Sequence, residues 1–388
     1  MMHFLSTILQ VVAILGCISS CAYYVLCLAG SWALLRSWDT ARRTLSAEMP
    51  PVSILKPLKG TDPEMYQSFR SHCLQDYSNF EIVFGVSDPS DPAISGVDAL
   101  RKEFPERSIQ LVVCRDTLGA NVKVSNLEQM VQAARYEHLI VNDSDIRVET
   151  DYLHRIGPLL ADPTTGMVTC LYRGVAGPSL GSRLEALGIS TDFCAAVIAA
   201  RLLEGGLSFG LGSTLAFRRD DLNKIGGFKS MVDYLADDYE LGNRISRLGR
   251  KVVLSDVVVE THLPAYDFDA FLAHQMRWAR GVRDARLGGY VGLVSTFGLM
   301  WALLNLLFAG AAGWAWLVLG CVLPLRIVVA LVVGKVVLKD RQVPGLLWLL
   351  PVRDLIACAI WIASFWGHVV TWRGDRFELR NGRLIRIP

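Results

Sequence analysis

Residues 4–35 contain no charged side chain, and this run limits what the chain can fold into. It is longer than the ~20 residues that a helix needs to cross the hydrocarbon core of a bilayer. It also exceeds the apolar core of a cleavable signal peptide, so the sequence predicts an uncleaved transmembrane helix within residues 1–36. Arg36, Arg42 and Arg43 follow, and the positive-inside rule therefore predicts that the next segment is cytoplasmic.

A second apolar block, residues 287–372, predicts about three further spans. Its segments long enough to cross a bilayer are residues 290–311, 313–334 and 355–372. Basic residues after the second segment mark a cytoplasmic return: Lys335, Lys339 and Arg341. Because lipid-facing charges such as Arg353 and Asp354 are costly, we expect residues 343–354 to lie at the interface or to be buried against protein.

The segment 373–388 is a basic tail whose placement conflicts with this count of spans. Its arginines are Arg373, Arg376, Arg380, Arg383 and Arg386. Four spans that start from an outside N-terminus would place these arginines outside, against the positive-inside rule. Either one apolar segment is re-entrant or the tail breaks the rule, and the sequence leaves both alternatives open.

Composition excludes several classes of protein. The chain has 39 Lys+Arg against 37 Asp+Glu, and a net charge of +2 is too small for a protein that binds nucleic acid by bulk charge. Its nine cysteines form no C-x-x-C pair and no Cys/His cluster, so neither a disulfide framework nor a zinc site is predicted. With 52% hydrophobic residues, disorder is excluded as well.

The region between the apolar ends, residues 50–286, has the pattern of an α/β domain. Short β-rich runs occur at residues 52–58, 80–86, 109–114, 138–143 and 166–172. Segments of helical length lie between them, at residues 62–77, 91–104, 123–135 and 151–161. This alternation predicts a parallel sheet with helices on both faces, and such sheets bind ligands at the carboxyl ends of their strands.

Acidic residues follow two of these strands. Asp88 comes after strand 80–86, and Asp143-Ser144-Asp145 comes after strand 138–142. A D-x-D at a strand end suits a metal-bound nucleotide, because one carboxylate can hold a hard cation that bridges the diphosphate. Turn formation explains the same residues equally well. A second triplet, residues 267–269, is expected to cap a helix.

Asp237 and Asp238 open a further helical stretch, residues 239–248. Acidic residues at a helix start complement its dipole, which is one explanation of the pair. The other is that one of them is a general base at a strand-to-helix junction. The Gly-rich run 205–213 matches no phosphate-binding motif and is predicted to be a flexible lining loop.

A basic stretch with aromatic residues lies before the second apolar block. It contains His274, Gln275, Arg277, Trp278, Arg280, Arg283 and Arg286. Such a stretch favours an anchor that meets anionic headgroups, although arginine can equally grip a diphosphate. His262 is either a ligand or phosphate contact or a structural residue. The amphipathic segment 181–204 is expected to lie on the membrane.

Five motifs follow one another in a telling order: D-P-S-D-P (88–92), K-V-S-N-L (123–127), D-S-D-I-R-V (143–148), L-A-D-D-Y-E-L-G (235–242) and x-x-x-R-W (274–278). This order resembles the ceramide glucosyltransferase family. The similarity covers residues 50–286 and the flanking membrane helices. It implies a membrane-bound, inverting glycosyltransferase with a Rossmann-like GT-A fold. The sequences of residues 141–148, 210–219 and 232–242 also resemble those of the hopanoid-associated bacterial branch.

The resemblance implies a role for each matching residue. Asp238 would be the catalytic base, and Asp145 would hold Mg²⁺ or Mn²⁺. The residues implied to contact substrates are Asp88, Lys123, Asp143, Asp237, Arg277 and Trp278. His274 stands where the family has Gln or Arg, so the role of this position stays open.

The implied activity is that of a UDP-sugar-dependent hexosyltransferase acting on a lipid hydroxyl. The candidate pairs are glucose with ceramide, and N-acetylglucosamine with bacteriohopanetetrol. The protein would lie in a membrane, the bacterial inner membrane by this interpretation, with a cytoplasmic catalytic domain and no nucleic-acid partner. The alternatives are a processive polysaccharide synthase of the cellulose or chitin synthase type, and a non-enzymatic transporter or scaffold.

Overall fold

The computed structural model describes residues 2–44, 48–372 and 374–387, which form two compact units. The sheet unit comprises Trp38–Gly177, Glu204–Pro264 and Arg373–Pro388. The apolar-helix unit comprises Met1–Ser37, Pro178–Leu203 and Ala265–Trp372. Arg373 and the side chains of Arg42 and Arg43, which the sequence singles out, lie outside the described residues.

The strands are numbered in chain order: β1 (Val52–Pro57), β2 (Phe80–Val86), β3 (Ser108–Val113), β4 (His138–Val141), β5 (Ile146–Arg147), β6 (Thr165–Val175), β7 (Leu215–Arg218), β8 (Lys251–His262), β9 (Val369–Trp372), β10 (Asp375–Arg380) and β11 (Arg383–Arg386). The α-helices are α1 (Met2–Thr44), α2 (Met65–Cys73), α3 (Ala93–Glu103), α4 (Val122–Ala133), α5 (Tyr152–Ala161), α6 (Leu180–Gly188), α7 (Cys194–Leu203), α8 (Arg219–Lys224), α9 (Asp237–Arg247), α10 (Phe268–Ala285), α11 (Leu287–Gly292), α12 (Gly298–Phe308), α13 (Gly313–Ala330), α14 (Val343–Leu346) and α15 (Leu350–Ser364).

An eight-stranded mixed sheet forms the core of the sheet unit, in the order β3-β2-β1-β4-β7-β6-β8-β5. The five strands predicted from the sequence correspond to β1, β2, β3, β4 and β6. The first four run parallel as predicted, but β7 is antiparallel to both of its neighbours and β5 is antiparallel to β8. The four-residue strand β7 directly follows the Gly-rich run, which hides it in the sequence pattern.

Burial of the central strands on both faces explains why their sequences are almost continuously apolar. Every residue of β1 and β2 is buried. Strands of a parallel sheet are covered on both faces, so they lack the alternation of an exposed sheet. Lys56 in β1 is a charged exception, and its surroundings belong to the candidate site.

Residues 375–386 of the predicted basic tail form a folded β-hairpin. Strands β10 and β11 pair antiparallel, from Phe377 opposite Arg386 to Arg380 opposite Arg383. Asn381 and Gly382 connect them with φ angles of 52° and 78°. Positive φ at both central residues is the requirement of the tight two-residue hairpin turn that Asn-Gly favours.

The apolar-helix unit contains helices long and apolar enough to cross a membrane. Among the described residues they are Phe4–Ala41, Leu180–Leu203, Gly313–Val337 and Val343–Ser364. A further pair, Leu287–Thr296 and Gly298–Phe308, passes the same test together but is bent by 55°. The predicted span 290–311 therefore falls on a bent helix pair, which is either a broken span or a re-entrant loop.

The predicted span 355–372 has different bounds in the structure. Helix α15 begins at Leu350 and ends at Ser364, and residues 369–372 form strand β9. Pro351 lies in the first turn of α15, where proline is tolerated because its missing N–H would have no helical partner. The helix therefore begins before Arg353 and Asp354 and includes both residues.

Buried ion pairs hold the charged residues of the apolar-helix unit. The Arg326 guanidinium donates to both carboxylate oxygens of Asp354, at 3.1 and 2.9 Å, and also bonds Asp192. Arg353 lies 3.4 Å from Asp192. Arg353 and Asp354 are each 7% exposed, so this charged pair is buried against protein.

The path of the chain restricts how often it crosses a bilayer. The segment Leu180–Leu203 connects β6 to β7, which pair with each other in one sheet. Residues 265–372 connect β8 to the hairpin β10–β11, which also belongs to the sheet unit. Both ends of each of these two connecting segments lie in the sheet unit. Each segment therefore crosses the bilayer an even number of times or not at all.

Candidate active site

Lys123 joins carboxylates from two parts of the sheet unit. It lies in the first turn of α4, while Asp143 follows β4 and Asp237 begins α9. The Lys123 Nζ atom is 2.8 Å from Asp143 Oδ1 and 3.2 Å from Asp237 Oδ2. The structure therefore brings together three of the residues that the sequence predicts for the site.

Asp238 is held by two backbone N–H groups. Gly212 and Tyr239 each donate to its carboxylate at 2.8 Å. A Cβ atom added at Gly212 would lie 3.3 Å from Asp238 Oδ2 and 3.5 Å from Asp143 Oδ2. Both carboxylates thus border the small space above Gly212.

Burial and the charges of this cluster shift the pKa of Asp238. Burial among protein groups, with the neighbouring Asp237 carboxylate, raises the Asp238 pKa to about 6, although Lys123 opposes the shift. Burial disfavours the charged form of Lys123, but Asp143 and Asp237 outweigh it and raise the Lys123 pKa above its usual value. A general base works best when its pKa is close to the operating pH, so a carboxyl pKa near 6 suits a general base at neutral pH.

The C-terminal part of the Gly-rich run, residues 209–212, packs against α9. A Cβ added at Gly242 in α9 would lie 2.1 Å from the Gly210 backbone nitrogen. One added at Gly210 would lie 3.0 Å from the Asp238 carbonyl oxygen. These glycines permit the close backbone approach that lets the Gly212 N–H reach Asp238.

Several residues that the sequence analysis missed hold the D-x-D loop. Lys56, 0% exposed, donates from Nζ to the Asp143 carbonyl oxygen at 2.9 Å. Ser144 Oγ bonds the Asp62 carboxylate, and Ser68 Oγ donates to the Asp145 carbonyl oxygen at 3.2 Å. A lysine inside the apolar run V-S-I-L-K-P-L was the available signal, because a buried charge needs a partner.

Burial and the Asp143 carboxylate raise the Asp145 pKa to about 6, and Thr261 Oγ1 bonds the Asp145 side chain. Among the described residues, no group of three or more His, Cys, Asp or Glu side chains is arranged to hold a metal ion. The candidate donor set is the D-x-D pair, Asp143 and Asp145. It fits an ion such as Mg²⁺, which commonly takes one or two carboxylates and fills its remaining positions with substrate phosphates and water.

Asp88 lies where the sequence predicts, just after β2. Strands β2 and β4 both pair with β1, so Asp88 and Asp143 follow strands on either side of β1. The Asp88 carboxylate is exposed and accepts bonds from the Ser90 N–H at 2.8 Å and the Ser90 hydroxyl at 2.6 Å. These hydrogen bonds lower the Asp88 pKa, so it is a charged carboxylate at neutral pH.

The motif that ends in Arg277 and Trp278 belongs to α10, in the apolar-helix unit. His274 stacks on Tyr266 and lies 5.1 Å from the Trp278 ring. Its Nδ1 atom is 3.0 Å from the buried Glu185 carboxylate. The substituted position of the family motif is therefore occupied by a ring that packs within its own unit.

Two arginines of α10 have a different partner from the lipid headgroups that the sequence favours. Arg280 donates to the carbonyl oxygens of Trp366 and Val369, at 2.9 and 2.5 Å. Arg283 donates to the Gly367 carbonyl oxygen at 3.2 Å and also bonds Ser364. They satisfy carbonyl groups at and after the end of α15, where basic side chains stabilise a helix.

The two remaining candidates, Asp267 and His262, contact residues close to them in the sequence. Asp267 is the N-cap of α10 and accepts the Ala270 N–H at 2.7 Å, which confirms its predicted capping role. His262 ends β8, with Nε2 3.9 Å from Glu260. Glu260 is already paired with Arg173 at 2.8 Å, so the structure joins His262 to a neighbouring ion pair.

The profile of glycosyl transferase family 21 matches residues 12–385. The chain belongs to this family. The match includes the apolar segments as well as the sheet unit, so this glycosyltransferase family membership covers nearly the whole chain. It confirms the resemblance that the ordered motifs indicate, whereas the hopanoid branch stays a prediction.

Curated relatives of this family 21 chain include lipid glucosyltransferases. Ceramide glucosyltransferase 3 of Caenorhabditis elegans is 24% identical over 384 residues, 95% of this chain and 81% of that protein. Beta-monoglucosyldiacylglycerol synthase of Synechocystis sp. is 26% identical over 239 residues, 60% of this chain and 48% of that protein.

A solved structure shares the fold. The mannosyltransferase PcManGT from Pyrobaculum calidifontis, solved in complex with GDP-Man and Mn²⁺, covers 92% of this chain and 99% of its own. The two are 19% identical with a TM-score of 0.54, which supports a common fold and no more. The predicted α/β GT-A-like fold is thereby confirmed.

Proposed function

We propose that this family 21 protein is an inverting hexosyltransferase that moves a sugar from a UDP-sugar to a lipid hydroxyl. The observation that carries the proposal is that the Asp238 and Asp143 carboxylates both lie within 3.5 Å of a Cβ added at Gly212, with Lys123 paired to Asp143. A base and a charged diphosphate site that border one space meet the geometric requirement of a direct displacement.

In the proposed reaction Asp238 accepts the proton of the acceptor hydroxyl. The hydroxyl oxygen forms a bond to the anomeric carbon as the bond from that carbon to UDP breaks, and UDP leaves with the electron pair. General-base assistance contributes about 10²–10⁴-fold. The N–H groups of Gly212 and Tyr239 fix the carboxylate for this step.

The donor contacts are assigned to the residues around Asp238. Asp88 and Asp143 would meet the nucleotide, and Asp145 would hold Mg²⁺ or Mn²⁺, which supplies charge stabilisation of the diphosphate when bound. Lys123 holds Asp143 and Asp237 in place. For Arg277 and Trp278 the proposal keeps the acceptor and diphosphate contacts that the family motif implies.

The lipid acceptor is proposed on the apolar segments and on the relatives. An acceptor that partitions into a bilayer would explain why a nucleotide-sugar enzyme carries the apolar helices. By their names, one of the relatives described above glucosylates ceramide and the other makes monoglucosyldiacylglycerol. Glucose and ceramide are therefore the first pair to test, ahead of N-acetylglucosamine and bacteriohopanetetrol.

The assay that tests this function crosses two donors with three acceptors in detergent containing Mg²⁺ or Mn²⁺. The donors are UDP-glucose and UDP-N-acetylglucosamine, and the acceptors are ceramide, bacteriohopanetetrol and diacylglycerol. We expect one hexose on one lipid, detected by mass spectrometry. A product ladder would favour a processive synthase, and the absence of UDP binding and of UDP release with every pair would contradict the proposal.

Sidedness follows from the path of the chain and from its basic residues. We propose that the sheet unit is cytoplasmic and that 287–308 and 313–337 cross the bilayer. Segment 343–364 would then be re-entrant, because an even number of crossings is required between residues 265 and 372. This assignment keeps the basic residues at 335–341 and the arginines of the hairpin on the cytoplasmic side, as the positive-inside rule requires.

Reporter fusions in a bacterial host test the sidedness. We expect alkaline phosphatase to be active when fused after residue 311 and inactive when fused after residue 340 or 387. Green fluorescent protein should give the reverse pattern, which controls for expression. Phosphatase activity at residue 387 would show an odd number of crossings and would contradict the assignment.

A further inference from the structure

The first turn of α9 has no local cap to fix its position. Ala236 is the N-cap residue, and no side chain there accepts a hydrogen bond from the helix. Alanine is a poor N-cap compared with Ser, Thr, Asp or Asn. Since Asp237 and Asp238 form that first turn, their placement depends on what holds the preceding residues 232–236.

One side of segment 232–236 is held by the start of α4. The Asn121 N–H donates to the Val232 carbonyl oxygen at 2.6 Å, and Asn121 Nδ2 donates to the Tyr234 carbonyl oxygen at 2.8 Å. The Ala120 N–H donates to the Asp233 carboxylate at 2.9 Å. Lys123, which pairs with Asp237, lies in the same turn of α4.

The other side of segment 232–236 is held by the hairpin β10–β11. The Leu384 N–H donates to the Asp233 carbonyl oxygen at 2.6 Å, and the Leu235 N–H donates to the Gly382 carbonyl oxygen at 3.1 Å. Successive carbonyl groups of the segment thus alternate between α4 and the hairpin, as they do in a strand paired on both sides.

Tyr234 strengthens this pairing. Two guanidinium groups lie over its ring, that of Arg383 at 5.2 Å and that of Arg244 at 5.1 Å from the ring centroid. Arg383 Nε also donates to the Tyr234 hydroxyl at 3.3 Å. Arg383 belongs to the hairpin and Arg244 to α9, so the tyrosine links the hairpin to the helix that carries Asp238.

We propose that the hairpin β10–β11 is a positioning element for the transfer step, and that Tyr234 and Gly382 are its positioning residues. The hairpin completes the hydrogen bonds of segment 232–236 and thereby fixes Asp237 and Asp238. This inference rests on the proposed function, because it assigns the hairpin to the base of that reaction. It makes the hairpin part of the catalytic unit rather than a tail.

Two glycines of the hairpin supply a matched test. Both have left-handed backbone, with φ of 78° at Gly382 and 90° at Gly374, so alanine is strained at either position. A Cβ at Gly382 would lie 3.3 Å from the Tyr234 ring, whereas one at Gly374 would meet no atom within 4 Å. Only Gly382→Ala therefore disturbs segment 232–236 directly.

We expect Gly382→Ala to lower kcat about tenfold to a hundredfold, because small misplacements of catalytic groups have effects of this size. Gly374→Ala should stay within about twofold of the wild type. UDP affinity and the melting temperature should be the same in both variants. Tyr234→Ala should also have a lower kcat than the wild type. Tyr234→Phe keeps an aromatic ring beneath the two guanidinium groups, so its kcat should be close to that of the wild type.

Hydrogen exchange measured on the peptide 232–242 separates this inference from the proposed function. We expect faster exchange in Gly382→Ala than in Gly374→Ala, whether or not a substrate pair has been found. Faster exchange together with a wild-type protein that transfers no sugar would overturn the proposed function alone. Equal exchange and equal kcat in the two glycine variants, or equal losses of kcat, UDP affinity and melting temperature in both, would overturn the positioning role.

Discussion

Asp238→Asn is expected to lower the rate of sugar transfer about 10²–10⁴-fold while UDP binding is retained. Asparagine keeps the shape of the side chain and an oxygen that can accept the Gly212 N–H, but it cannot take a proton from the acceptor hydroxyl. The measurement is kcat with the best donor and acceptor pair, beside the dissociation constant of UDP.

Asp237→Asn is the matched control for this prediction. Asp237 is 3.2 Å from Lys123 and is engaged by that cation, whereas Asp238 is held only by backbone N–H groups and keeps its basic oxygen available. We therefore expect Asp237→Asn to lose less of its kcat than Asp238→Asn. Wild-type turnover in Asp238→Asn would show that another group is the base.

Lys123→Met is expected to move the acid limb of the kcat profile to higher pH. In the wild type this limb should lie near pH 6, because turnover falls as Asp238 is protonated and its pKa is about 6. Lys123 lowers that pKa, so its removal raises it. Turnover at pH 7 should then drop about tenfold for each pKa unit by which the limb passes pH 7.

The lost turnover of Lys123→Met should return at alkaline pH, where Asp238 is again charged. Lys102→Met is a suitable control, since Lys102 is an exposed residue of α3. The profile should be measured at saturating donor and a fixed metal concentration. A loss of the same factor at every pH would mean that Lys123 acts on the transfer through contacts with the donor instead of through Asp238.

The candidate aspartates were predictable because strand ends and helix starts can be identified locally. Asp143 directly follows the apolar run of β4, and Asp237 begins a helix, so the sequence places both at element boundaries. Their neighbours depend on contacts between distant segments. Gly212 supports Asp238 from 26 residues away and Lys56 supports Asp143 from 87 residues away, and no local periodicity reports such contacts.

Two sequence-based predictions, the end of the last span and the nature of residues 373–388, were wrong for physical reasons. Apolar length alone extended the last span to residue 372, although the α15 helix ends at Ser364 and the chain continues into β9. The charge of residues 373–388 suggested a basic tail, and the hairpin that residues 375–386 form was not predicted. Alternating apolar residues around Asn381-Gly382 were the signal for it, and Phe377, Leu379 and Leu384 are buried.

The hairpin also has a consequence for biosynthesis. A ribosome translates residues 375–386 only after every apolar segment between residues 265 and 372. The nascent chain therefore contains Asp143, Asp145, Asp237 and Asp238 long before the strands that hold segment 232–236 exist. A chain whose membrane insertion stalls before residue 375 therefore lacks the strands that support the proposed base, and under the proposed function such a chain would transfer little sugar.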